Sequence, residues 1–383
     1  MKEISIGLKD FPDDVFILLK DGFRAKFFKT AWKINRSYRH LAKKIGVANP
    51  TMLSWRRGKS CGLPQFCSVK HIKEIFDYSK HSELWDINYE DINHNIKSYK
   101  AIHGFLRVDN PILPIKDSID LRAIFAHLLG DGTAQNVKYR TCKYDNSSKE
   151  AVEEFIDRFR CFGDISKKDL SKIWHKDRKY FMYRYSFPKS IAKILINRFR
   201  IDFTWNKSRI PNEFFQGKQI LLVAFVRAFF IDEGSVRDRK LSFSSGNKDL
   251  LNDLKQICNN LSYKTGKIRK SNRTYYLETY SESFEKIYED FMKIEKIPIK
   301  EKQERLELGI ELANSRKSFK NLNEEILSNL GVSNLNLVEL SKELKVRSNL
   351  LWKRLVYLNS LGKVRNFKIV GNGKGGAHLW RLT

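Results

Sequence analysis

Residues 124–133 read I-F-A-H-L-L-G-D-G-T, and residues 226–235 read V-R-A-F-F-I-D-E-G-S. Each is an apolar run closing on an acid and a glycine, and the two acids, Asp131 and Glu233, stand 102 positions apart. One such end predicts little, because a helix stopped by a C-cap glycine beside an incidental acid reads the same way. Two of them predict a duplication. After each acid-glycine comes an extended polar segment (136–140; 236–243), then a helix (148–159; 248–261), a further strand (180–187; 274–280) and a second helix (189–199; 283–294). The expectation is an α+β fold with a tandem core at 117–316, made of two αββαββα copies at 117–216 and 217–316. Small residues Ala126, Gly130 and Ala228 let the two apolar helices approach closely about a pseudo-two-fold axis.

Outward from this core the chain is basic. It carries 72 Lys+Arg against 44 Asp+Glu, a formal +28 over 383 residues, and such an excess points to a polyanionic partner. With 42% apolar and 13% aromatic residues but only 20 Gly and 8 Pro, general disorder and collagen-like repeats are excluded. The length predicts about two or three domains. The longest apolar run, Ile220 to Val226, falls well short of the roughly 18 residues of a membrane span. The start, Met1-Lys2-Glu3, is unlike a secretory signal. The expected location is the cytoplasm, with DNA and away from membranes. Five scattered cysteines without a C-x-x-C pair disfavour a disulfide framework or a zinc site. The eight histidines form no metal-binding helix face, so any catalytic metal is expected on carboxylates.

Residues 1–116 are expected to form an N-terminal helical, DNA-binding region. Residues 31–60 hold eight basic side chains and no acid. Within them Ser37 can N-cap a helix carrying Leu41, Ala42 and Ile45, Gly46 can stop it, and Asn49 or Thr51 can open a second helix with Met52 and Trp55. The run L-A-K-K-I-G-V-A-N-P-T-M-L-S-W-R-R-G resembles the helix-turn-helix of phage-repressor-type DNA-binding domains, over about residues 37–58. Docked in a major groove, such a motif offers Asn49, Thr51, Ser54, Arg56 and Arg57 to bases or phosphates. An ordinary solvated αα-hairpin is the competing reading; the absence of acids in the run favours DNA.

At the other end, residues 317–383 carry 12 Lys+Arg and 4 Asp+Glu. They read as helix (337–344), turn, helix (348–360) and two extended pieces (363–370; 377–382) joined by G-N-G-K-G-G. This order resembles a winged helix with Leu340, Leu344, Val346, Leu351, Leu355 and Leu358 as its core. Its DNA-facing candidates are Ser348, Asn349, Lys353, Arg354 and Lys374. Winged helices also serve protein interactions.

The tandem core resembles the LAGLIDADG family of DNA endonucleases over about half the chain, on the strength of the paired apolar helices ending at Asp131-Gly132 and Glu233-Gly234. That resemblance implies the following. Asp131 and Glu233 are the catalytic carboxylates and hold divalent ions, with Gly130 and Asp232 beside them in the metal site. Mg²⁺, with Mn²⁺ as the alternative ion, activates the attacking water and stabilises the leaving oxygen. Each copy's four-stranded sheet forms a DNA-binding saddle, double-stranded DNA is the partner, and one chain with both half-sites acts as a monomer. Asn136, Lys138 and Arg140, and likewise Arg237 and Arg239, alternate along extended segments and are expected on the DNA face. The alternating Phe181, Tyr183, Tyr185 and Phe187 are expected in the core beneath the saddle. The chain departs from the family pattern at Ile231 and Asp232, a bulkier seam that leaves Asp232 able to assist or replace Glu233.

Site-specific double-strand cleavage is the expected activity, because both acids are present. Two alternatives share the architecture: a non-cleaving transcriptional regulator using the core as a DNA clamp, and an RNA maturase that stabilises a folded intron.

Overall fold

The structure is a computed structural model whose described residues are 4–102, 104–134, 142–166, 170–175, 180–314, 321–346, 348–368 and 378–383. Its architecture is α+β, and the duplication is explicit. The helix Ile119–Leu129 buries every residue from Leu121 to Leu129. It begins where Ser118 Oγ accepts from the Leu121 N–H at 3.1 Å, an N-cap. The helix Gln219–Glu233 is buried from Leu222 to Ile231. Buried on all sides, both helices belong to an interior rather than a surface, and each large apolar side chain buried there contributes roughly 1.5–3 kcal/mol.

Each helix leads into a four-stranded antiparallel sheet. In the first copy the order is Gly132–Thr133, Cys142–Asn146, Tyr180–Phe187, Leu170–His175. In the second it is Gly234–Arg237, Lys240–Ser245, Thr274–Glu278, Arg269–Ser271. The order along the chain is thus 1-2-4-3 in both. Lys149–Arg158 and Lys189–Phe199 are the remaining helices of the first copy, and Lys248–Asn260 and Phe284–Met292 those of the second. Register gives the residue correspondence. Tyr144 pairs with Gly132 in the first sheet and Phe243 with Gly234 in the second. Two positions further on stand Asn146 and Ser245, and two beyond those the helix caps Ser148 and Asn247.

The aromatic series of the first sheet divides. Tyr185 and Phe187 are buried, Tyr183 is part-buried and Phe181 is 50% exposed. The inner strand ends the protection: Cys142–Asn146 lies opposite Phe187 back to Tyr183 only, so Phe181 extends past its partner. There it meets Trp174 edge-on at 4.8 Å, under the ammonium of Lys172 at 4.4 Å.

The region before residue 117 is not purely helical, contrary to expectation. Around the helices Asp21–Asn35, Tyr38–Lys44, Asn49–Arg57 and Val69–Ser79 stands a five-stranded sheet in the order Asp164–Ile165, Arg107–Asp109, Ile96–Ala101, Val15–Leu19, Cys67–Ser68. Val15–Leu19 is an unbroken apolar run, which periodicity alone does not separate from a helix segment. One edge strand comes from residues of the first copy.

At the C-terminal end, helices occupy Leu337–Leu344 and Ser348–Ser360, followed by strands Val364–Lys368 and His378–Leu382, which pair with Leu335–Asn336 in the order 335, 378, 364. Leu340, Leu344, Val346, Leu351, Leu355 and Leu358 share one core with Trp380 and the preceding helix Leu322–Val332. By contact the chain gathers into two units, Met1–Ser171 with Tyr183–Asp232, and Lys172–Met182 with Glu233–Thr383.

Candidate active site

Gly130 ends the first apolar helix as its C-cap, with its N–H bonded to Ala126 O at 3.0 Å. A Cβ on Gly130 would lie 2.7 Å from Asp232 Oδ2 and 2.9 Å from Asp232 Cβ. The ends of the two apolar helices therefore meet, and glycine is what allows it. The carboxylate facing Gly130 is completely buried. Tyr144 donates to its Oδ1 at 2.5 Å, and His127 Nδ1 lies 3.1 Å from Oδ1 and 3.0 Å from Oδ2. A buried carboxylate persists only with such partners.

Asp131, the next residue, is part-exposed. Its Oδ2 accepts from Asn146 Nδ2 at 2.9 Å, and the same amide nitrogen lies 3.3 Å from Tyr144 Oη. Asn146 Oδ1 meanwhile accepts from the Ser148 N–H at 2.9 Å. The amide is therefore oriented by three partners: its two N–H bonds serve Asp131 and Tyr144, and its oxygen holds the following turn. Burial, followed by the charges of Asp232 and Asp131, pushes the Tyr144 phenol well above its ordinary range. Tyr144 is thus a neutral donor at any pH the protein meets.

Deeper in the first unit, Arg227 of the second apolar helix grips Glu154 through bonds of 2.5 and 3.1 Å, and Arg158 adds a third at 3.1 Å. Burial alone would raise the Glu154 carboxyl, but Arg227, followed by His127 and Arg158, outweighs it and holds the group below its usual range. At the start of the first helix, Arg122 is paired with Asp117 by two 2.7 Å bonds and donates to Phe214 O at 2.7 Å.

Glu233, in the second unit, is the last residue of its helix and part-exposed. Its carbonyl accepts from Ser244 Oγ at 3.3 Å. Mg²⁺ takes oxygen ligands, commonly one or two carboxylates with water and phosphate oxygens. Asp131 and Glu233 are part-exposed carboxylates and suit that chemistry. Asp232 differs from its expected role: its oxygens are enclosed and already engaged by Tyr144 and His127. Among the described residues, no three His, Cys, Asp or Glu side chains cluster as a metal-holding group.

The candidate DNA contacts distribute as follows. Ser37 caps Tyr38–Lys44, accepting from Arg39 N at 3.1 Å, and Gly46 takes φ +71°. The next helix starts at Asn49 with Ala48 as its cap residue and Pro50 in its first turn. Met52 and Trp55 are buried, Thr51 and Ser54 part-buried, and Arg56 and Arg57 exposed. Ser54 Oγ donates to Pro50 O at 2.9 Å, and Arg56 lies over Tyr38 at 5.1 Å.

Arg237 is exposed, but Arg239 does not share its strand face. Asp238 takes φ +53° and turns the hairpin, so that Arg239 donates to Glu285 at 3.1 Å. The period-two expectation assumed an unbroken strand. A basic cleft of about 470 Å³ nevertheless gathers Arg237, Arg239, Lys240 and Lys353. Ser348 donates its N–H to Asp238 Oδ1 at 2.9 Å, Arg354 is part-buried, and Asn349 lies on the same helix. Asn136, Lys138, Arg140 and Lys374 lie outside the described residues.

The network of His127, Tyr144 and Asn146 was missed in the sequence. The signal was there: His127 interrupts the apolar run from Ala123 to Leu129, and Tyr144 and Asn146 share the inward face of their strand with Cys142.

Residues 221–292, within the second copy, match the family model of the LAGLIDADG-like domain. Solved structures similar to the chain include the homing endonuclease I-DmoI, at 16% identity and TM-score 0.33, covering 45% of this chain and 97% of that one. Another is the homing endonuclease I-WcaI bound to its DNA recognition sequence, at 14% identity and TM-score 0.35, covering 49% and 85%. Full-length DUF199/WhiA from Thermatoga maritima is similar at 16% identity and TM-score 0.36, covering 63% and 90%. No curated protein matches. Among the described residues, no helix is long and apolar enough to cross a membrane.

Proposed function

We propose that this protein is a site-specific double-strand DNA endonuclease that works as a monomer, with Asp131 and Glu233 as metal-holding catalytic carboxylates. The observation that carries this reading is the duplicated αββαββα unit whose two buried helices each end in a part-exposed carboxylate. A divalent ion such as Mg²⁺, when bound, supplies Lewis-acid activation of water and charge stabilisation at the scissile phosphate.

The protein's own residues do the rest. Gly130 permits the close approach of the helix ends, while Asn146 donates to the Asp131 carboxylate at 2.9 Å. Asp232 is a buried anchor rather than a ligand. The +28 charge, with the basic helix at 49–57 and the cleft of Arg237 and Lys353, attracts and tracks the phosphate backbone. The 37–58 motif acts as a helix-turn-helix and residues 317–383 as a winged helix, lengthening the DNA contact on both sides of the core.

The test is incubation of the full chain with a randomised duplex library and Mg²⁺, followed by sequencing of cut ends. Asp131→Asn and Glu233→Gln should each abolish the cutting of one strand, and with it the double-strand break, and preserve DNA affinity. Tight, sequence-selective binding without any cut ends would point instead to a regulator that uses the core as a clamp; preference for a folded RNA over duplex DNA would point to a maturase.

A further inference from the structure

We propose that Asn146, backed by Tyr144, is a positioning residue for Asp131, and that this support serves the first catalytic centre and not the second. The inference rests on the nuclease reading above. Three features carry it.

The first is geometry. Asn146 is buried and spends one amide hydrogen on Asp131 at 2.9 Å. Its amide cannot rotate without losing its bonds to Tyr144 and to the Ser148 N–H. Tyr144 is in turn fixed by its 2.5 Å bond to the enclosed Asp232 and by stacking on Phe155 at 4.3 Å. The chain of contacts therefore ends in rigid core, which is what holds a metal-binding carboxylate in one orientation.

The second is the comparison between copies. By register, Phe243 stands where Tyr144 does and Ser245 where Asn146 does. Counting back four from each acid, Phe229 stands where His127 does. The second copy was built without the Tyr-Asn-His set, so whatever orients Glu233 is different chemistry.

The third is that the second copy shows what Asn146 does beyond its structural duty. Ser245 Oγ accepts from the Asn247 N–H at 3.1 Å, the same turn-holding bond that Asn146 Oδ1 makes to Ser148. A serine satisfies the turn. Only the amide nitrogen, aimed at Asp131, is surplus to it.

The experiment follows from that difference. Asn146→Ser keeps the acceptor for Ser148 and deletes the donor to Asp131; Tyr144→Phe keeps the ring and deletes the hydroxyl. The full chain and each variant are given a duplex recovered from the randomised library, with the two strands separately end-labelled, at graded Mg²⁺. Asn146→Ser should slow cutting of one strand by about 10–100-fold. It should be the same strand whose cutting Asp131→Asn abolishes. The other strand should stay within about twofold, and calorimetric titration of the DNA complex with Ca²⁺, read without cutting, should show one ion site weakened by about 10–100-fold. Tyr144→Phe should shift the same strand by a smaller factor. Equal slowing of both strands, or no slowing while Asp131→Asn remains strand-selective, would overturn the positioning role and leave the nuclease reading intact. If the unmodified chain cuts neither strand, the nuclease reading fails first and takes this inference with it.

Discussion

Gly130 and Asp232 are in such close approach that no side chain fits between them: a Cβ on Gly130 would meet Asp232 Oδ2 at 2.7 Å, Cβ at 2.9 Å and Cγ at 3.2 Å. Within the first unit the two apolar helices come together here, a glycine on one side and a buried acid on the other. The acid cannot yield, because Tyr144 and His127 hold it. Gly130 sits at φ −84° and ψ −103°, and the lack of space beside Asp232 is by itself enough to require glycine.

Gly130→Ala should accordingly destabilise the first unit by about 1–3 kcal/mol through overpacking. Thermal melting of the variant against the unmodified chain checks this. Gly130→Ala should cost less in an Asp232→Gly background than in the parent if the clash with that side chain is its cause. An unchanged melting temperature for the single variant would mean that the two helix ends part readily.

Glu154 should be the residue through which acid loosens this unit. Its carboxyl is held below the usual range, burial opposing and Arg227 prevailing. A depressed acid stabilises the fold fully above its unfolded value of about 4.3. That contribution is lost as pH falls through the folded value. Glu154→Gln, which places a neutral amide against the buried Arg227 guanidinium, should cost about 3–5 kcal/mol near pH 7. The gap between variant and parent should hold down to about pH 4.5 and narrow below it. Denaturant melts across pH 3–7 measure both, and a gap that widens toward low pH would contradict the pairing.

Asp238 should anchor the helix Ser348–Ser360. Its carboxylate accepts from the Ser348 N–H at 2.9 Å, one of the orphan donors at a helix start, and its negative charge complements the helix dipole. Because Asp238 has φ +53°, alanine would add backbone strain; Asp238→Gly removes the acceptor and relaxes the turn, so the effect is read locally, at the helix start. The expected loss is about 1 kcal/mol, seen as roughly fivefold faster hydrogen exchange in the first turn of that helix, with the helix Lys248–Asn260 unaffected.

These devices differ in how far the sequence discloses them. The αββαββα order and the helices at 337–344 and 348–360 are legible because apolar periodicity and local caps specify them residue by residue. The sheet joining Val15–Leu19 to Asp164–Ile165 is not, since its pairings span far more chain than any local pattern covers. Asp232 illustrates the same limit at the site: beside Glu233 it reads as a second ligand. Only the partners brought from residues 127 and 144 reveal it as a buried anchor. Arg237 and Arg239 read as one strand face because nothing at Asp238 announces the turn between them.

Arg237 and Lys353 provide the clearest test of how far DNA contact extends. Both are exposed on the basic cleft of the second unit, the first from the core and the second from the helix after residue 347. If the core and both flanks track a duplex and neutralise about ten phosphates, log K should fall against log salt with a slope of roughly −9. Each phosphate contact contributes about 0.9 to that slope. Arg237→Ala with Lys353→Ala should therefore flatten it by nearly two units and weaken binding to all sequences alike. Fluorescence anisotropy on a random duplex across 50–300 mM salt measures this. A parent slope near −2 would confine binding to one module, and an unchanged slope in the double variant would place the duplex away from the cleft.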